Sequence, residues 1–348
     1  MQRSDLYFSL PTNLIAQKLS RNPANARLLI LLRKENACLH ARFEDLLNYL
    51  DSGDILVFNN SRVIPTRVWG CLDSGGQVEV TLVSKLKENL WEALVRPDYG
   101  VERERSIYFT PAPLHSKMQG CPLKAHLVAQ TAYQGWILRF SHNHGKLEDI
   151  LEKFAEVNLP FYIKSKVKLQ DYQNVYAKIA GSTQCPTAGL HFTRNLLDKF
   201  RRKGIGIVYI TLHVGGSVLP LNVKDFSRLK IHKEYFRISD AVKNRINQAR
   251  RQGKRLIAVG TTVIRALEAR ATPEGQVKSG CGWTDLTIKT GYNFKVTDGI
   301  VTNFHLPGSS HLLLTSAFAG ADRVLSAYRQ AVKKKYKFLD FGDAMFIL

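Results

Sequence analysis

The sequence predicts an α/β main domain with an inserted small β-barrel domain, and three observations carry that prediction. At 348 residues the chain is too long for one average core. From about Thr66 to His144 the pattern is almost entirely short β-type runs, separated by SGG, Pro and Gly turn signals. On either side of that stretch, apolar strand-like runs alternate with amphipathic helix-like ones, the texture of an α/β sheet. The simplest division assigns residues 1–62 and 147–348 to a discontinuous α/β domain and residues 63–146 to the insert.

In chain order, the helix-like FEDLLNYL leads into the apolar strand DILVFNN, Asp54 to Asn60. In the insert, QVEVTLVSKL, LWEALVRP, SIYFT, AHLVAQTAY and GWILRFSH read as strands at regular spacing, which suggests a small barrel or sandwich. LEDILEKFAE reads as an amphipathic helix. TRNLLDKFRRKG reads as another, with Thr193 as N-cap and Gly204 just past its end. Strand IGIVYITLHV follows, then a helix opening at Asp240 and closing at Gly253, strand RLIAVG and helix TVIRALEAR. IVTNF reads as the next strand, and SSHLLLTSAFAG as a helix begun by two serines.

Fifty Lys and Arg against 29 Asp and Glu give a net charge of +21, a statement about partners rather than fold. The basic residues fall in short runs (KSKVK, RRQGKR, KKKYK), each of which reads by itself as a solvated face or helix end. Their sum fits a polyanionic partner, nucleic acid being the commonest. The five cysteines, Cys38, Cys71, Cys121, Cys185 and Cys281, are odd in number and lack a CxxC spacing. That argues for a reducing compartment and against structural zinc. With no apolar leader and no run approaching a membrane span, the expectation is a cytoplasmic protein.

Several strands end in polar or glycine-rich turns, where α/β sheets bind ligands. Asn59, Asn60, Ser61 and Arg62 follow ILVF; His213 and Gly215 to Ser217 close YITLHV; Thr261 and Thr262 follow LIAVG, with Arg265 one turn on. IVTNF carries Asn303 and is followed by His305 and Ser309. Helix starts at Thr262 and Ser309 would aim free N–H groups at an anion. If the strands are parallel neighbours, His191, His213, Arg265 and His305 converge. The other reading of an isolated histidine between apolar residues, such as His191 in PTAGLHF or His213, is a buried, hydrogen-bonded imidazole. No HExxH or carboxylate cluster accompanies His142 and His144, so no metal is expected. GxxxxGK[ST], GxSxG and GxGxxG are all absent. The residues alone thus lead to a polar crevice and a polyanionic partner.

The polar turns carry a resemblance as well. LVFNNSRVIPTRVWG, PTAGLHF, TLHVGG, HKEY, AVGTTVIRALE, VTNFHLPGSS with SAFAG, and FGDAMF resemble the S-adenosylmethionine:tRNA ribosyltransferase-isomerases of queuosine biosynthesis, nearly end to end. The resemblance implies transfer of the ribosyl part of S-adenosylmethionine onto 7-aminomethyl-7-deazaguanine at the wobble position of tRNA with a GUN anticodon. The ribose becomes an epoxycyclopentanediol, giving epoxyqueuosine, while adenine and methionine leave. S-adenosylmethionine is then a consumed substrate and no cofactor is required; a monomer is expected.

That chemistry needs a base near neutral pKa for the ribose C–H beside the sulfonium, and an acid for the departing adenine. The expected catalytic set is His191, His213 and His305, with Glu234 orienting one of them or the substrate amine. The expected binding set is Asn59, Asn60, Arg62, Thr187, Gly189, Gly215, His232, Thr261, Thr262, Arg265, Asn303 and Ser309, with Arg62 and Arg265 on anionic groups. The chain departs from the family pattern at Gln184 and Cys185, where small residues are usual, in the shorter GGSV turn, at Leu229 where a histidine is usual, and at Thr290 in place of proline. A tRNA-binding protein that has lost catalysis is the alternative those departures raise.

Overall fold

The computed structural model describes residues 1–35, 37–109, 123–131, 135–142, 146–215 and 223–348. Cys121, His144 and residues 216–217 of the glycine turn lie outside them. The chain opens with two strands, β1 (Arg27–Leu32) and β2 (Ala37–Arg42), then β3 (Ile55–Asn59) and the short β4 (Ser61–Val63). The barrel strands follow: β5 (Arg67–Leu72), β6 (Gln77–Lys87), β7 (Leu90–Arg96), β8 (Ser106–Phe109), β9 (Leu123–Gln130) and β10 (Trp136–His142). Helix α1 (Leu147–Phe154) comes next, and strand β11 (Ile179–Ser182) returns the chain to the main body. There the chain runs through α2 (Arg194–Arg202), β12 (Gly206–Leu212), β13 (Glu234–Ile238) and α3 (Asp240–Arg251). It continues through β14 (Leu256–Val259), α4 (Thr261–Ala269), β15 (Gly280–Thr284) and β16 (Gly299–Asn303), and ends with α5 (Ser310–Ala319), α6 (Ala321–Lys333) and β17 (Ala344–Ile347).

Nine strands form one sheet in the order β15-β13-β12-β3-β14-β16-β17-β1-β2. The centre, β12-β3-β14-β16, is parallel, as is β17 with β1; the remaining pairs are antiparallel. Strand β3 shows why the centre is buried on both faces: Ile55 and Val57 pack into one apolar cluster, Leu56 and Phe58 into the other. Ile246 of α3, Val263 of α4, Leu312 of α5 and Val324 of α6 belong to the first cluster. Leu196, Leu197 and Phe200 of α2 belong to the second, with Phe43. The apolar C-terminal run is the fully buried β17, which pairs with the first strand, β1.

The insert is a closed six-strand barrel, β10-β7-β6-β5-β8-β9, antiparallel throughout. Alternate residues of β6 (Val78, Val80, Leu82) turn inward onto Trp91 and Leu138, and Leu147 and Leu151 of α1 join that core. Closure removes the sheet edges that six short strands would otherwise expose.

Barrel and sheet are seamed by buried contacts. Strand β4, continuing directly from β3, pairs in parallel with β11. His232 Nε2 reaches Glu92 Oε2 on β7 at 2.5 Å, both side chains buried. At Gly215 a Cβ would stand 1.9 Å from the Val83 carbonyl oxygen, so only glycine lets the strand end lie against the barrel.

Thr193 caps α2 by accepting from the Leu196 N–H, and Gly204 takes a positive φ of 81° just beyond it, as the sequence indicates. Helix α3 differs: Ser239 is its cap and Asp240 lies in the first turn. FEDLLNYL is a 3-10 segment, Phe43–Tyr49.

Candidate active site

The parallel centre places four strand carboxyl ends side by side. From β3 the chain passes through the insert to β12 on one flank, and afterwards to β14 on the other. That is the topological switch point at which open α/β sheets bind ligands. A cavity of about 130 Å³ lies there. Its walls are Gln184–Ala188 ahead of α2, Gly260–Thr262 at the start of α4, Thr302–Leu306 after β16, His311 on α5, and Leu339 and Asp340 before β17. Pro160, Tyr162 and Tyr172 close it from the segment after α1.

Gly260 has a φ of 93°, which turns the chain so that the amino end of α4, with Thr261 and Thr262, meets the cavity. A helix amino end carries partial positive charge and suits a carboxylate. Thr187 donates to Asn303 Oδ1 at 3.2 Å, joining two opposite walls. His305 Nε2 is 2.9 Å from the Thr302 hydroxyl, its backbone N–H donates to the Tyr328 hydroxyl, and its ring stacks on His311 with centroids 5.3 Å apart. Burial pushes the His305 pKa well below the usual value, and the neighbouring His311 pushes it further. Burial also lowers His311, Glu234 raising it and Arg265 lowering it. Both rings are therefore neutral proton acceptors near pH 7. Asp340, the one acid lining the cavity among the described residues, accepts from the Tyr162 hydroxyl at 2.8 Å and the Tyr172 hydroxyl at 2.7 Å. Burial raises its pKa, and the two phenol hydrogen bonds oppose the rise.

Of the sequence-predicted residues, Thr187, Thr261, Thr262, Asn303 and His305 meet in this cavity. His191 does not line it. Its ring lies one layer behind, stacked on Phe43 at 4.8 Å, with Nδ1 3.4 Å from the Pro23 carbonyl and Nε2 3.4 Å from the Asn303 amide nitrogen. Only 2% exposed, it is a core imidazole, its pKa lowered by burial to about 4. The expected convergence of four groups thus fails at His191, because the apolar neighbours in GLHF draw the ring into the core.

Four more expected groups are internally engaged. The Arg265 guanidinium is buried against Glu234, with further bonds to the carbonyls of His232, Thr284 and Leu286. Glu234 in turn accepts from the Gly215 N–H at 3.2 Å. This pair supports the floor beneath His311, and His232 is held by Glu92. Arg62 pairs with Glu152 of α1 at 2.6 Å.

The rest are structural or face elsewhere. Asn59 straps β3 to β12 through both backbone groups of Leu212, and Asn60 accepts from Thr211. A Cβ at Gly189 would lie 1.9 Å from the Tyr176 hydroxyl, and Ser309 caps α5. His213 turns away from the cavity, although its neighbour Val214 lines it; the ring lies in a separate cleft with Tyr235 and Trp283.

His311, Asp340, Tyr162 and Tyr172 also line this cavity, and the motifs did not single them out. Asp340 immediately precedes FGDAMF, and His311 sits inside VTNFHLPGSSH at the second position of α5, so both were adjacent to signals in hand. A wider cavity of about 380 Å³ adjoins the first, sharing Tyr162, Gln184, Leu306 and His311. It extends to the barrel wall at Arg67, Glu79 and Arg96, with Phe161 exposed beside it. Two of the departures from the family pattern, Gln184 and Cys185, line the smaller cavity.

A family model described as queuosine biosynthesis protein matches residues 3–347. The chain belongs to that family. Among curated members, a protein of Halothermothrix orenii is 44% identical over 351 residues, and one of a Thermoanaerobacter strain is 43% identical; in each case all of both chains is covered. Both carry the name S-adenosylmethionine:tRNA ribosyltransferase-isomerase. A crystal structure of S-adenosylmethionine tRNA ribosyltransferase from Thermotoga maritima matches at 31% identity with a TM-score of 0.56, covering 99% of this chain and all of that one. The family likeness therefore spans sheet and barrel together.

Proposed function

We propose that the protein is an S-adenosylmethionine:tRNA ribosyltransferase-isomerase. It moves the ribosyl moiety of S-adenosylmethionine onto 7-aminomethyl-7-deazaguanine at the wobble position and forms epoxyqueuosine. The observation that carries this reading is the end-to-end match at 44% identity to a relative of that name, without loss of any segment. S-adenosylmethionine is consumed and no further cofactor takes part. The macromolecular substrate is tRNA with a GUN anticodon, for which the +21 charge provides long-range attraction; the enzyme acts as a monomer in the cytoplasm.

Roles follow from the cavity. Asp340, between the Tyr162 and Tyr172 rings, is the anion for the sulfonium, with the aromatic faces adding cation–π attraction. The amino end of α4, with Thr261 and Thr262, takes the methionine carboxylate, a task that Arg265 leaves to it because Glu234 already occupies its guanidinium. His305 and His311, neutral through burial, supply the base for the ribose C–H and the acid–base partner for adenine departure. The tRNA base enters through the wider cavity at the barrel seam, so that His311 and Gln184 stand between donor and acceptor.

The test is incubation of the purified protein with S-adenosylmethionine and tRNA bearing 7-aminomethyl-7-deazaguanine. Adenine and methionine in the medium, and the epoxyqueuosine mass in the digested nucleosides, are expected. Tight tRNA binding with none of the three products would replace this reading with that of a binding protein.

A further inference from the structure

The cleft that holds His213 is unused by the reaction just described, and its chemistry is distinct. It measures about 290 Å³ and lies between the end of β6 and the outer face of the sheet, with Lys85, Lys87, Gly181, His213, Tyr235 and Trp283 among its walls. Three rings step across three adjacent strands. His213 stacks on Tyr235 with centroids 5.9 Å apart and planes 17° from parallel, and Tyr235 meets Trp283 edge to face at 5.8 Å. Tyr235 and Trp283 are directly paired in the register of β13 and β15, so both project from one face.

Trp283 stands on an edge strand, beside Tyr235 in the register. Trp283 is 40% exposed, whereas Phe236 and Ile238, which face the other way, are buried. On the outer face Arg237, two residues from Tyr235, is exposed, and Lys87 is exposed on the opposing wall. Neither forms an ion pair among the described residues, whereas Lys85 is engaged by Glu148. One exposed acid, Glu88, lies among these cations. An aromatic step on a β-sheet, flanked by cations, is the arrangement that holds unpaired nucleotides: a ring takes the base face and cations the phosphate. A volume near the lower limit of small-molecule sites admits one base rather than a folded domain.

We propose that this cleft is a docking site for an unpaired nucleobase of the RNA substrate, its face stacked on Trp283 and its edge against Tyr235, with Lys87 and Arg237 on its phosphates. It rests on the reading of tRNA as substrate and adds a second point of contact to it. Val214 lines the reaction cavity and His213, its neighbour in the chain, lines this cleft, so the two sites lie back to back across the end of β12. One loop of RNA can reach both, the reacting base in one and a flanking base in the other. Such a contact also gives the inserted barrel a part in gripping RNA, since β6 forms the opposing wall.

The test measures binding of an anticodon stem-loop RNA to the wild type, Trp283→Ala, Trp283→Phe, Tyr235→Ala and Tyr99→Ala, with tRNA turnover in parallel. Tyr99 is a control, an aromatic residue 78% exposed and not among the cleft's walls. Trp283→Ala and Tyr235→Ala are expected to raise the Kd about tenfold to a hundredfold, the loss of one stacked base. Trp283→Phe is expected to restore most of the affinity, and the KM for S-adenosylmethionine to stay within about twofold of wild type. Wild-type affinity in both alanine variants, or an equal loss in Tyr99→Ala, would overturn the proposal. Trp283-dependent binding by a wild type that releases no adenine would overturn the proposed reaction and leave this site standing; normal turnover with unaffected variants would do the reverse.

Discussion

Replacing His191 by Gln separates a core role from a catalytic one by the shape of a stability curve. The ring is packed on Phe43, shares hydrogen bonds with Pro23 and Asn303, and is neutral because burial lowers its pKa to about 4. In the unfolded chain the same group titrates near 6.5, so protons bind the unfolded state first as pH falls. Its contribution is complete above about pH 6.5 and is lost as pH drops toward 4. Between about pH 7.5 and pH 5 the loss amounts to about 2 kcal/mol, from RT times the logarithm of the ratio of the two proton-binding polynomials. His213, also lowered to about 4, contributes equally in both proteins and cancels in the comparison. Near neutral pH, His191→Gln should cost about 1–3 kcal/mol through lost packing and one weakened hydrogen bond. The difference between the variants should then shrink by about 2 kcal/mol on moving to pH 5, read by urea denaturation at each pH. Parallel curves at all pH values, or a His191→Gln protein of full stability and abolished turnover, would refute the placement of this ring.

Asp340→Asn removes the charge facing the sulfonium while keeping the phenol contacts, and should raise the KM for S-adenosylmethionine about tenfold to a hundredfold, measured by initial rates of adenine release. His305→Ala should lower kcat by about a hundredfold or more with a much smaller change in S-adenosylmethionine binding; since the ring is neutral well below pH 6.5, the wild-type rate should show no His305 titration between about pH 6.5 and 8. Gly215→Ala forces a Cβ onto the Val83 carbonyl and should lower the Tm by several degrees, about 1–3 kcal/mol, read by calorimetry. Glu92→Leu removes the buried hydrogen-bond partner of His232 at the barrel seam and should cost about 1–3 kcal/mol, visible as faster proteolysis between barrel and sheet.

The fold was legible wherever the pattern of a segment matched its burial. Strands β3, β12, β14 and β16 are apolar runs ending in polar turns because they are the doubly covered centre, and β6 shows inward alternation because it lines a barrel. Strands at the margins carry weaker signals. β15, GCGWT, has two glycines and an outward tryptophan, and β2, ACLHAR, is exposed along much of its length, so neither reads as a strand from sequence. Pairing with β13 and β1 supplies what propensity lacks. In the site, Thr187, Thr261, Thr262, Asn303 and His305 were legible because helix starts and strand ends are local features. Asp340 was not, since its place in the cavity wall is set by Tyr162 and Tyr172, 178 and 168 residues away. His191, His213 and Arg265 illustrate the converse. A motif shows that a residue matters at that position, but only packing shows which of two neighbouring clefts, or neither, its side chain enters.

The most direct test of the account is a single-turnover reaction using S-adenosylmethionine labelled with carbon-13 throughout its ribose, with wild type and Asp340→Asn side by side. The account predicts all the ribose label in the wobble nucleoside of the tRNA, with unlabelled adenine and methionine released in equal amounts, and a rate at low S-adenosylmethionine that falls sharply in Asp340→Asn. Label absent from the tRNA, or identical rates for the two proteins, would contradict it.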